Sequence, residues 1–97
     1  IGLAHHEGWA GYALDKVFFL KSFERIDGAA YPDGGVNLEA FANRDFLELE
    51  SLGPLTCIEP GQSVEHREKW QLHRLPAGIG PECSEDEMRR ALPSILE

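Results

Sequence analysis

Short apolar runs of period two, cut at close intervals by turn-forming pairs, are what most limits the folds open to this chain. Trp9 to Leu14 alternates small and aromatic residues, and Val17 to Phe23 is a β-branched and aromatic run with Lys21 on one face. Both patterns predict strands. Only Asp15 and Lys16 separate them, a connection of hairpin length. Arg25 to Gly35 holds two Asp-Gly pairs and a proline. It reads as a long loop, because glycine accepts positive φ and proline fixes φ. Its two carboxylates fall short of the roughly six to eight oxygens that Ca²⁺ takes, so the loop is read as a structural turn.

Val36 to Ala42 alternates again, Asn43-Arg44-Asp45 supplies turn residues, and Phe46 to Leu52 reads as the next strand. On that strand Leu47, Leu49 and Ser51 share one face, while Phe46, Glu48, Glu50 and Leu52 share the other. Gly53-Pro54 and Pro60-Gly61 break the chain before a last strand over Ser63 to His73. Its more apolar set, Val64, His66, Glu68, Trp70 and Leu72, is expected to face the protein, with Glu65, Arg67, Lys69, Gln71 and His73 toward water. Beyond Pro76 the sequence AGIGPEC is a link. Ser84 and Glu87 then form an S-x-x-E capping box ahead of a short helix over Met88 to Leu92, which Pro93 interrupts. This tail is expected to lie outside the core.

Short, evenly punctuated strands with almost no helix predict an all-β fold, an antiparallel β-sandwich with a short C-terminal helix. With 97 residues the chain is one domain at most. It is divided at the composition change into a sheet region, 1–75, and a linker with the short helix, 76–97. Five or so strands offer little area to cover a strongly apolar sheet face, so a second copy or the remainder of a longer chain is expected to cover it. A homo-oligomer is the expectation.

Nine basic against seventeen acidic residues give a net charge of −8, which repels phosphate backbones and anionic lipid. Nucleic acid and membrane partners are disfavoured. No apolar run approaches the roughly 18 to 20 residues that cross a bilayer. Cys57 and Cys83 form no CxxC pair and follow no signal peptide, so two free thiols in a reducing, cytoplasmic setting are expected. Neither a phosphate-cradling glycine loop nor G-x-S-x-G occurs, and no histidine or cysteine spacing suggests a zinc site. No cofactor is implied.

The candidate chemistry lies in carboxylates. Glu48 and Glu50 stand two residues apart on one strand face, with Cβ atoms about 7 Å apart, close enough to reach one ligand. General-base work needs a carboxylate whose pKa is raised by burial or a nearby like charge, which such a pair can supply. The same pair also fits a half-solvated strand face. Glu39 competes for the role, since a hairpin of the two strands would set it across from Glu48 to Glu50. His66 is the local candidate acid, read equally as a histidine satisfied by structural bonds. Trp9 and Trp70 could stack on sugar rings or pack a core.

The segments GWAGYALDKVFFLKSF, YPDGGVNLEAF, FLELESLGPL and IEPGQSVEHREKW together resemble the C-terminal part of a family of uncharacterised proteins related to galactose mutarotase, over roughly residues 8 to 73. The resemblance implies a partial supersandwich, of which this chain matches the final third. It also implies opening of a sugar ring at the anomeric carbon, with a histidine as acid and a late glutamate as base. That glutamate precedes a Pro-Gly turn and a closing strand, a layout similar to Glu48 or Glu50 ahead of Ile58-Glu59-Pro60-Gly61. The family's acid histidine would come from a region outside this chain. A carbohydrate-binding or sugar-active protein, an isomerase of the aldose 1-epimerase kind with an incomplete site, is therefore one expectation. The other is a non-catalytic β-domain that self-associates through its sheet.

Overall fold

A computed structural model describes residues 1–96. Among the described residues, six strands in two three-stranded antiparallel sheets and a C-terminal helix make an all-β fold, as the strand spacing predicts. The chain divides into two compact units that interleave in sequence, Ile1–Gly8 with Phe23–Glu68, and Trp9–Ser22 with Lys69–Glu97.

The first unit carries the sheet β1 (Gly2–Leu3), β4 (Leu38–Ala42) and β5 (Leu47–Ser51), in that order. β4 and β5 form a hairpin about Asn43, whose side-chain oxygen accepts from the amides of Asp45 and Phe46 at 2.8 and 2.9 Å. This turn chemistry fixes the register, with Glu39 opposite Glu50 and Phe41 opposite Glu48. β1 is a strand the periodicity does not announce. It pairs Gly2 with Glu39 and Leu3 with Leu38.

Asn37 anchors that terminal segment. It is fully buried, its Oδ1 accepts from the His5 amide at 2.6 Å, and its Nδ2 donates to the His5 carbonyl at 2.7 Å. The loop before β4 contains α1 (Pro32–Gly35), a single turn in which Asp33 and Gly34 take left-handed torsions. Tyr31 is buried beneath it, and its hydroxyl accepts from the Ile26 amide at 2.9 Å.

The second unit holds β2 (Trp9–Leu14), β3 (Val17–Phe23, its last residue in the first unit) and β6 (Glu68–Arg74, which starts at the boundary). β2 and β3 span the residues their periodicity predicts and are joined at Asp15-Lys16, with Asp15 at φ 52°. One face of this sheet is covered. Phe18 and Leu20 are buried with Leu75 and Ile95, and Trp9, Ala13, Met88, Ala91 and Leu92 pack against them. Gly11 is required there, since a Cβ would stand 2.5 Å from the Phe19 carbonyl and 2.6 Å from the Phe18 ring.

Three expectations are corrected. The last strand runs over Glu68–Arg74 and not from Ser63, because residues 63–67 are exposed and belong to no sheet. Its faces are also reversed. Gln71 and His73 are half-buried, whereas Trp70 is 65 % and Leu72 74 % exposed. The reason is that the helix covers the Phe18 and Leu20 side of β3, leaving the Val17 and Phe19 side to water. Finally, the helix is part of the core.

That helix, α2, spans Glu85–Ile95, passes through Pro93, and delivers Ile95 at 4 % exposure to the cluster. The capping box is present, with the Ser84 hydroxyl accepting from the Glu87 amide and the Glu87 carboxylate accepting from the Ser84 amide. These bonds, the backbone one foremost, hold the Glu87 carboxyl below its ordinary pKa. Proline lacks one amide, and burial of Ile95 on the following turn offsets that loss.

Candidate functional site

Hairpin register brings three of the candidate carboxylates together. Residues opposite one another share a face, and so do residues two apart on a strand. Glu39, Glu48 and Glu50 therefore lie on one face of the β1–β4–β5 sheet, with Phe41 between Glu39 and the turn. Glu48 and Glu50 are exposed and Glu39 is half-buried. Phe41 and Phe46 are exposed, with ring centroids 5.9 Å apart and planes tilted at 40°. Acidic groups beside an open aromatic pair thus make up this face.

Within the cluster Glu39 is distinct. Its carboxyl shares a hydrogen bond with the Asp33 side chain, is partly desolvated, and feels the negative charges of Asp33 and Glu50, so its pKa is raised above the ordinary 4.5. The left-handed torsion of Asp33 belongs to the turn that bears this partner, a connection the sequence left as a loop. A carboxyl with a raised pKa set among other carboxylates is an arrangement that acid and base pairs use.

The linkage follows in sign. A carboxyl whose pKa is higher folded than unfolded adds stability that is complete below the ordinary value and is lost as pH rises through the raised one. Glu39→Gln should therefore match the wild-type Tm near pH 4, exceed it increasingly as pH rises from the ordinary value through the raised one, and keep a constant margin above that. Thermal melts across that range check this, and parallel curves for the two proteins would contradict it.

His66 is not brought to the carboxylates. Its Nε2 lies 2.8 Å from the Ser51 hydroxyl, which donates to Glu68 Oε1 at 2.5 Å. Ser51 pairs with Leu38 on the face opposite Glu39 and Glu50. Because the single hydroxyl proton goes to Glu68, the imidazole Nε2 must carry its own proton and donate it to Ser51. That polarity is the reverse of a serine activated as nucleophile, where the imidazole accepts. His66 and Glu68, which a one-strand reading sets side by side, are thus joined through a third residue.

The tryptophans belong to the second unit. Trp9 is half-buried against the Phe18 cluster, while Trp70 packs edge-on to Phe19 at 5.8 Å and takes the Lys21 ammonium 5.5 Å above its ring. A cleft of about 620 Å³ opens in this unit among Asp15, Lys16, Glu82, Cys83 and Glu87, and none of the six candidate residues lines it. Cys57 and Cys83 are free thiols, and among the described residues no helix is long and apolar enough to cross a membrane.

Sequence reasoning misses Ser51 and Asn37, whose partners lie 15 to 32 residues away. It reads Asp33 as part of a structural turn and not as a partner of Glu39. Comparison of the chain with protein-family models, curated proteins and solved structures finds no match.

Proposed function

We propose that this chain is a carbohydrate-binding β protein of the galactose mutarotase-like kind, and that its ligand lies on the Glu39–Glu48–Glu50 face. The observation that carries the reading is the pairing of Glu39 with Glu50, with Glu48 and Phe41 as the next pair toward the turn. Carboxylates accept hydrogen bonds from vicinal sugar hydroxyls, and an exposed aromatic ring packs on the apolar C–H face of a pyranose. The face offers both within one hairpin.

Aldose epimerisation is the finer form of the proposal. Ring opening removes the proton of the anomeric hydroxyl and supplies one to the ring oxygen. Glu48 or Glu50 is the base in this scheme. With His66 bonded to Ser51 on the other face, Glu39 is the group beside them suited to hold the second proton. The base works in open water on a sheet surface and Glu39 is only half-buried beside it, so pre-organised electrostatic stabilisation is small. Binding should accordingly be measurable where catalysis is weak.

Polarimetry on several aldoses tests the catalytic form. Any acceleration above the uncatalysed rate should fall about a hundredfold in Glu50→Gln or Glu48→Gln. A robust rate that survives glutamine at both positions would remove this site.

A further inference from the structure

The face of the β2–β3–β6 sheet opposite α2 carries a continuous aromatic band. Tyr12 lies opposite Phe19 with rings 5.7 Å apart, Phe19 meets the edge of Trp70, and Leu14, Val17 and Leu72 complete the band. Five of these side chains, Tyr12, Leu14, Val17, Trp70 and Leu72, are between 36 % and 74 % exposed. From the self-complementarity of this band we infer that it is an interface between two copies of the chain, formed independently of any sugar site.

Three features select a second copy as the occupant. A two-fold contact needs one patch that fits itself, with a projection and a recess side by side. Here the exposed Trp70 stands next to a recess of about 230 Å³ lined by Tyr12, Leu14, Asp15, Val17, Phe19 and Leu72. The indole of each copy can enter the recess of the other.

Charge also favours this face. A chain of net charge −8 repels its own copy, and the carboxylates nearest the band lie at its ends, Asp15 in the recess lining beside the hairpin turn and Glu68 two residues before Trp70, while the Lys21 ammonium stands over the Trp70 ring. The band is therefore the surface on which two copies can approach closely.

Area sets the strength. The exposed parts of the five side chains come to about 500 Å² per copy, or roughly 1,000 Å² for the pair, the lower bound of a specific interface. The dimer is accordingly weak, with dissociation expected on the order of 10–100 µM.

Sedimentation velocity on the whole chain from about 5 to 500 µM should show monomer passing to dimer across that range. Leu72→Glu places two like charges in the contact without disturbing the buried cluster. It should leave the protein monomeric at every concentration, with an unchanged far-UV circular dichroism spectrum. Leu14→Glu serves as a second disrupting variant. A wild-type chain that stays monomeric at 500 µM overturns the proposal, as does a dimer that persists in either folded variant. A monomer whose Trp70 fluorescence shifts with a soluble glucan would also overturn it, assigning the band to carbohydrate.

Discussion

Replacing Phe18 with alanine should cost about 3–5 kcal/mol, whereas Trp70→Ala should cost about 1 kcal/mol. Phe18 is buried with Leu20, Leu75 and Ile95, and its ring lies over the bare backbone of Gly11. Removing it leaves a cavity that neither the sheet nor α2 can fill, because Gly11 has no side chain to lean in. Trp70 is 65 % exposed, and its truncation removes an edge contact with Phe19 and the cation over its ring without opening a buried cavity. Urea denaturation of both variants checks the order. Comparable losses would mean that the covered face of the sheet is misidentified.

Asn37→Ala should cost about 2–4 kcal/mol, even though it deletes a polar side chain. The Asn37 side chain is fully buried and matches the half-buried His5 N–H and C=O at once. Truncation leaves both backbone groups without those bonds, so two desolvation penalties appear together. The change should also loosen β1. The Asn37 amide donates to the Leu3 carbonyl and the Ala40 amide to that of Ile1, and both should exchange with solvent faster in the variant. Asn37→Asp keeps the acceptor and loses the donor, so an intermediate loss is expected. A full-stability Asn37→Ala protein with unchanged exchange at Ala40 would show that the clamp does not hold the segment.

Much of this fold is legible in local pattern. The β2–β3 hairpin follows from two alternating runs and the two residues between them, and α2 from its capping box. The Glu39–Glu50 register follows once Asn43 to Asp45 is read as the turn. The face of β6 is different in kind. β3 is apolar on both sides, with Phe18 and Leu20 on one and Val17 and Phe19 on the other, so alternation along β6 cannot say which side α2 covers. Trp70 and Leu72 then read as inward by composition alone.

The helix end misleads for a related reason. Pro93 is a local stop signal, and the burial of Ile95 that overrides it is a tertiary effect. Among candidate residues, the carboxylates were visible as a strand pattern. The Ser51 bridge and the Asn37 clamp join positions far apart in sequence, and nothing in a single chain's spacing marks them.

The central claim, carbohydrate recognition on the Glu39–Glu48–Glu50 face, is tested most directly by an amide chemical-shift titration of the whole chain with a panel of aldoses. The expected result is saturable shifts confined to residues 38–42 and 47–51. Their midpoint should rise about tenfold in Glu50→Gln, as lost charge-assisted hydrogen bonds imply. No saturable shift on these strands with any aldose, or shifts of equal midpoint in a protein with glutamine at 39, 48 and 50, would contradict it.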